Sequence, residues 1–410
     1  MEVLRKKYLE KLNKLKAVDL IKVITGIRRC GKTTLLLQFI EELKKEYKQE
    51  QIIYINFDDK ENRHLLNINE LEKFLDSKIS RDKQMFLFCD EIQNVIGFEE
   101  LILSYYSVNK NVDIYLTGSN SHMISNQIAT KFTGREINIK VLPLSFMEFY
   151  ELHNGNENNK YEVFNKYVKS GAFPIISNFL DENELVENTL TNIIDTILLR
   201  DLIPHFKIKN IPLLKKILTF VMENIGNQFS VINVVTYLKN NNIENTSVHT
   251  IENYLDAIVQ CFLIIKIERL DIKGLKILKK YYKFFAIDLK LRNILCNKNF
   301  DQDRGRCLEN IILLNLYNKF NKINVGTYYY NDNGKMKILE CDFVCQNNSD
   351  KVFIQICDDI LLSSVYDREI NILHKIKNGR KILINNSRIN QIVDGVEIID
   401  IVDFLLKGTI

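Results

Sequence analysis

Tryptophan is absent from this chain, proline occurs four times in 410 residues, and the eight cysteines contain no Cys-x-x-Cys pair. Scattered thiols without paired spacing read as the reduced thiols of a cytoplasmic protein rather than a disulfide framework. No apolar run approaches about 18 residues, and the opening Met1-Glu2-Val3-Leu4-Arg5-Lys6-Lys7 lacks the apolar core of a signal peptide. The expectation is a cytoplasmic chain with no membrane partner. An excess of one charge is also missing. With 56 Lys and Arg against 52 Asp and Glu, the molecule as a whole is not a polyelectrolyte made for nucleic acid, so any such role must be local. The plentiful Lys, Asn and Ile look like the coding bias of an AT-rich genome and carry no function. A hydrophobic content of 46% is ample for two or three cores of about 100–200 residues each.

Against these absences, residues 26–34 (Gly26, Ile27, Arg28, Arg29, Cys30, Gly31, Lys32, Thr33, Thr34) have the spacing of a phosphate-binding loop. The two glycines let the backbone turn tightly, so that consecutive N–H groups point at phosphate oxygens. Lys32 then reaches the outer phosphates of ATP, and the Thr33 hydroxyl supplies a ligand to Mg2+. The context fits. Residues 20–24 form a β-branched run before the loop, and Leu36, Ile40, Leu43 and Tyr47 recur at helical spacing after it. A second element, the apolar run 85–89, ends in Asp90 and Glu91. Asp90 can hold the magnesium through water, and Glu91 is placed to accept a proton from an attacking water.

Further strands are expected at 52–57, 112–116 and 137–142, which makes a parallel α/β sheet with ligands at its carboxyl edge. The polar cluster 117–121 follows the fourth strand. Ser119 or Asn120 there stands in a position resembling that where AAA+ enzymes keep a residue that touches the γ-phosphate or orients the water, the other reading being a turn with helix-capping residues. Arg135 precedes the next strand. It is either an arginine finger acting on a neighbouring copy in a homo-oligomer, or an ordinary surface arginine.

Together the segments 26–33, 89–93, 116–121, 133–135, 142–149 and 171–174 resemble the prokaryotic AAA-type ATP-binding proteins followed by a C-terminal domain of unknown function. The resemblance covers nearly the whole chain. It implies an AAA+-like P-loop core that binds ATP and hydrolyses it to ADP and phosphate, and it names no cellular task. Residues 1–144 are then the ATPase core and 145–206 a small helical lid, in which Arg200 and Asp201 either sense nucleotide or form a helix-surface ion pair.

Residues 205–300 hold 15 Lys and Arg against 7 Asp and Glu, so the positive charge is concentrated there. Two helices, a polar segment 246–255 and two strands in 207–295 follow the order of a winged helix. Its hairpin carries Lys273, Lys276, Lys279 and Lys280, suited to the phosphates of duplex DNA, the alternative being contact with an unidentified protein partner. Residues 304–410 have the element order of a restriction-endonuclease-like α/β domain. Glu309 and Asp342 stand where such nucleases keep metal-binding acids, but Gln355 and Cys357 stand where an acid and a lysine are needed. That site reads as degenerate. The function expected is an ATPase whose nucleotide state moves its other domains. The rivals are a DNA-binding switch with little turnover and an ATP-gated nuclease.

Overall fold

This computed structural model describes residues 3–108, 111–119, 132, 134–243, 246–348, 350–361 and 363–407. The chain forms two compact units. The first comprises Met1–Pro143, Thr196–Pro204 and Gln260–Phe262, and the second Leu144–Asp195, His205–Val259 and Leu263–Ile410.

In the first unit α1 (Lys6–Leu15), β1 (Ile21–Thr25), α2 (Lys32–Leu43), β2 (Ile52–Asn56), α3 (Ile68–Lys78), β3 (Met85–Asp90), α4 (Phe98–Val108), β4 (Val112–Gly118) and β5 (Glu136–Lys140) alternate along the chain. All pairings are parallel, in the order β2-β3-β4-β1-β5. Every residue of β1, β3 and β4 is buried, because successive side chains enter different helical layers. Phe88 and Tyr115 stack at 4.6 Å and meet Phe39 of α2. Leu87, Cys89, Ile114 and Leu116 pack instead with Leu71, Leu75, Ile102 and Tyr105 of α3 and α4. The alternation also drives a charge inside. Lys22 is fully buried, where its ammonium pairs with Asp113 and donates to the Val18 carbonyl at 2.6 Å. Burial lowers the Lys22 pKa, with Asp113 opposing. This pair ties the approach to β1 onto β4.

Because β4 lies between β1 and β3, the strand that feeds the glycine-rich loop is not the neighbour of the one ending in the acidic pair. Residues at the end of β4 therefore stand between them.

The second unit contains α5 (Phe146–Leu152), α6 (Lys160–Ser170), α7 (Asn183–Thr196), α8 (Ile211–Glu223), β6 (Gln228–Phe229), α9 (Val231–Asn240), α10 (Val248–Gln260), β7 (Ile264–Asp271), β8 (Lys276–Ala286), α11 (Leu289–Cys296) and α12 (Arg304–Tyr317). After them come β9 (Lys322–Asp332), β10 (Lys335–Asn347), β11 (Asp350–Cys357), α13 (Ser363–Lys375), β12 (Arg380–Asn385), β13 (Gln391–Val393), β14 (Val396–Asp400) and α14 (Ile401–Lys407). One nine-stranded sheet, in the order β13-β14-β12-β11-β10-β9-β7-β8-β6, runs through this unit.

Two boundaries drawn from the sequence need correction. The hairpin β7–β8 and the strands β9–β12 belong to one sheet, joined by parallel pairing of Arg269, Leu270 and Asp271 with Val325, Gly326 and Thr327. Segments 207–295 and 304–410 are thus not separate layers. Residues 145–206 do not form one lid either, since 196–204 belong with the first unit and 144–195 with the second. Backbone pairing between distant strands overrides the composition shifts by which the sequence divides them.

Candidate nucleotide site

The glycine-rich loop turns from the end of β1 into the start of α2. At Gly26 a side chain is excluded by close approach, since a Cβ would lie 2.2 Å from the Val141 carbonyl oxygen. Gly31 caps α2 in the left-handed region at φ 98°, where glycine bears no steric penalty. Ile27 and Cys30 are buried, and Thr34 lies in the first turn of α2. Arg5 braces the loop from outside by donating to the carbonyls of Cys30 at 3.0 Å and Leu142 at 2.8 Å. Lys32 is folded back on its own loop. Its ammonium donates to the carbonyls of Gly26 at 3.1 Å and Ile27 at 3.4 Å, and lies 3.6 Å from Glu91.

Asp90, fully buried at the end of β3, accepts from the Thr33 hydroxyl at 2.7 Å, from the Tyr54 hydroxyl at 3.3 Å and from the Thr117 hydroxyl. Burial raises its pKa, with the two threonine hydrogen bonds opposing. Thr117 also accepts from the Glu91 backbone N–H at 2.9 Å, which helps hold Glu91 in its left-handed conformation at φ 54°. For Glu91 the order of influences is burial, which raises the pKa, then Lys32 and the Gln93 amide, which lower it and together prevail. Glu91 is therefore held below the ordinary carboxylate range and is ionised near neutral pH.

Gln93 and Asp201 complete the arrangement; sequence reasoning gave Gln93 no role and read Asp201 with Arg200 as a nucleotide sensor or a helix-surface ion pair, not as a partner of the loop. The Gln93 amide donates to Glu91 and, at 3.5 Å, to the Ser119 hydroxyl, while its buried Oε1 has no hydrogen-bond partner among the described residues. Asp201 lies on a π-helical turn, Ile197–Leu202, and is buried. Arg28 donates to it twice, Nε at 3.0 Å and Nη2 at 2.8 Å, and the Ser119 hydroxyl lies 3.4 Å from it. Asp201 thus pairs with the loop rather than with Arg200, which is exposed. The one available signal was an acid set in the apolar run Ile197-Leu198-Leu199 and Leu202-Ile203.

Arg29 adopts a left-handed conformation at φ 66° on the loop. Asn120 lies outside the described residues. Arg135 is exposed, and its carbonyl accepts from the Ile21 N–H at 2.8 Å. It therefore flanks the start of β1, whereas the loop follows the end, about 15 Å away along a five-residue strand.

The donor set fits magnesium and a nucleotide phosphate chain. Thr33 and Asp90 are hard oxygen donors, the loop has no room for a side chain at Gly26, and Gln93 presents beside Glu91 a buried acceptor with no partner among the described residues.

The acids of the second unit are arranged differently. Glu309 lies 3.3 Å from the ammonium of Lys283, a β8 residue that the sequence reading counted only as part of a basic stretch, and Lys283 also pairs with Glu340 at 2.8 Å. Asp342 accepts from the Ile356 N–H at 2.8 Å, and its own N–H donates to Gln355 Oε1 at 3.2 Å. Gln355 in turn donates to Glu369 at 2.5 Å. Burial raises the pKa of Glu309 and takes that of Asp342 well above its ordinary value. Cys357 packs into an apolar cluster, and burial pushes its thiol up to about 12. Among the described residues no three His, Cys, Asp or Glu side chains are placed to hold a metal.

Several basic residues of 205–300 are neutralised internally. Besides Lys283, the buried Arg292 pairs with Asp303 at 2.5 Å, Lys298 with Asp303 at 2.9 Å, and Lys290 with Glu187 at 2.8 Å. Lys273 and Lys276 remain exposed, Lys273 lying over the Tyr328 ring at 4.4 Å. The side chains of Lys279 and Lys280 lie outside the described residues. No helix among the described residues is long and apolar enough to cross a membrane.

Comparison with known proteins gives two family matches, an AAA domain over residues 19–150 and a domain of unknown function (DUF8612) over residues 161–302. An uncharacterized protein of Haemophilus influenzae is 31% identical over 408 residues, covering 98% of each chain. The uncharacterized protein MJ1544 of Methanocaldococcus jannaschii is 31% identical over 366 residues, covering 87% of this chain and 78% of its own. Among solved structures, the Walker-type ATPase PABY2304 of Pyrococcus abyssi matches 72% of this chain and 95% of its own, at 17% identity and a TM-score of 0.47.

Proposed function

The chain belongs to the AAA-domain family of P-loop proteins, and from that premise we propose that it binds ATP with Mg2+ and hydrolyses it, coupling its nucleotide state to movement of the second unit. The observation that carries the reading is the convergence at one sheet edge of Lys32, the Thr33–Asp90 pair and an ionised Glu91. In this reading Lys32 would leave its loop carbonyls for the outer phosphates, and Thr33 with Asp90 would hold magnesium, whose charge would offset that developing on the transferred phosphoryl group. Glu91 takes the proton of the attacking water, and Ser119 or Asn120 orients that water. Titration with a fluorescent ATP analogue and a phosphate-release assay test the proposal. Binding and turnover by the wild type, both lost in Lys32→Ala, support it, and a Lys32→Ala variant that still binds ATP overturns it.

Arg135 is at the wrong end of β1 to serve its own loop, so it acts on a neighbouring copy if it acts at all. Recovery of turnover on mixing Arg135→Ala with Lys32→Ala would support a shared site in a homo-oligomer. Full activity of Arg135→Ala alone would make it ordinary surface.

A second reading is favoured by the exposed Lys273 and Lys276 on the hairpin: contact with the phosphates of duplex DNA by a winged-helix-like part of the second unit. Lys283 of β8 supplies, between Glu309 and Glu340 of the restriction-endonuclease-like part, the positive charge that a metal would bring, so nuclease activity is not part of the proposal.

A further inference from the structure

Resting on the nucleotide reading above, we infer that Arg28 reads the terminal phosphate of a nucleoside triphosphate, and that Asp201 is the surrogate anion it holds when that phosphate is missing. Arg28 belongs to the loop that wraps the phosphates, yet its guanidinium is turned to a protein carboxylate. The two contacts, 3.0 and 2.8 Å, are those of a fork meeting a two-oxygen anion, which is also how arginine binds a phosphate. Other negative charge converges on the same group, with Glu91 nearby and Asp58 at 3.9 Å. Two of the loop's three cations are thus occupied by the protein's own oxygens, Lys32 by two carbonyls and Arg28 by Asp201.

The pairing has consequences for the segment that carries Asp201. A buried carboxylate among Ile197, Leu198 and Leu202 is costly unless it is paired. When Arg28 turns to a phosphate, Asp201 loses the two charged hydrogen bonds of the Arg28 fork. The π-helical turn that bears it has a rarer and less stable hydrogen-bond pattern than an α-helix, so it is the element to yield. Along the chain both of its flanks run into the second unit. Asp201 also reaches the proposed base through two side chains, since Ser119 bonds Asp201 and accepts from Gln93, which donates to Glu91. A diphosphate lacks the third group and leaves the Arg28–Asp201 pair closed. Asp201 is accordingly a positioning residue and Arg28 a phosphate-specificity residue.

The test is equilibrium titration of the full chain with fluorescent ATP and ADP analogues and Mg2+, for wild type, Asp201→Asn, Arg28→Met and the double variant. Asp201→Asn should tighten triphosphate binding roughly tenfold and change diphosphate binding by less than about twofold, the size expected for losing one charged competitor. In the Arg28→Met background it should change neither. Amide hydrogen exchange of residues 197–202 in the wild type should quicken with the triphosphate and stay unchanged with the diphosphate, a readout that stands even if Asp201→Asn fails to fold. Equal effects on the two nucleotides, an Asp201→Asn effect that persists without Arg28, or exchange indifferent to the third phosphate each overturn the inference. Wild type that binds neither nucleotide overturns the nucleotide reading itself.

Discussion

The chain builds two buried clusters from the same ingredients, carboxylates around a lysine. In the first unit Asp90, Glu91 and Asp201 surround Lys32 and Arg28 at the carboxyl edge of a parallel sheet. In the second, Glu309, Glu340, Asp342 and Glu369 surround Lys283 on strands and helices. The first has capacity to spare, in a lysine resting on carbonyls and a glutamine oxygen without a partner among the described residues. The second is closed on itself, with Lys283 shared between two acids and Gln355 bridging the Asp342 backbone to Glu369. Charge balance follows the same division. Lys32 and Arg28 help hold Glu91 below its ordinary range against burial, whereas burial, reinforced by Glu309 and Glu369 and opposed by Lys283, takes Asp342 well above its own. Residue type does not distinguish a ligand site from a brace; unfilled valence at a loop edge does.

Removing one group from each cluster should therefore fail in different ways. The largest effect is expected from Glu91→Gln, which should keep ATP binding but slow phosphate release by about 10²–10⁴-fold, the usual worth of a positioned base. Normal turnover would remove Glu91 from that role. Lys283→Met should leave nucleotide binding intact and cost about 3–5 kcal/mol in urea denaturation, because Glu309 and Glu340 lose their shared cation inside the protein. A neutral result would show that water already relieves the cluster.

The clusters should also respond to pH with opposite sign. The Glu91 pKa is lowered on folding, so its contribution is present above the ordinary carboxylate range and is lost as pH falls through the folded value. The Asp342 pKa is raised, so its contribution is present at low pH and is lost as pH rises toward the folded value. The stability deficit of Asp342→Asn relative to wild type should accordingly shrink between about pH 5 and about pH 8. Denaturation curves at the two pH values check this, and a deficit that grows would reverse the assignment. The smallest effect is expected outside both clusters. Neutralising Lys273 and Lys276 should lower the salt slope of duplex DNA binding by about 2, close to one per phosphate contact. No binding at low ionic strength would leave the hairpin to a protein partner.

What was legible in the sequence was what is contiguous along it. Residues 26–34 and the pair Asp90-Glu91 could be read because a phosphate loop and a strand-end carboxylate need neighbours in the chain, and the β-branched runs around them mark buried parallel strands. Arg28 could be read as a loop residue but not as the partner of an acid 173 positions away. Thr117 was legible as a polar residue near a motif, yet its service to Asp90 and Glu91 follows from β4 lying beside β3, whereas Gln93 reaches Glu91 within the chain's own turn. The positive excess of 205–300 was countable in the sequence, but the pairing of Lys283 with Glu309 and Glu340 and of Arg292 with Asp303 was not.

By itself, then, the sequence determined the order of strand, loop and helix in the first unit and which glycines, lysine and acids adjoin its sheet edge. Those depend on local backbone freedom and on side chains within a few residues. Only the tertiary structure decided that Asp201 holds Arg28, that Lys283 braces the second acidic cluster and that the basic hairpin shares a sheet with the terminal strands. The energy of a buried charge or an open strand edge is set by whichever distant group satisfies it, and that partner is chosen by the fold.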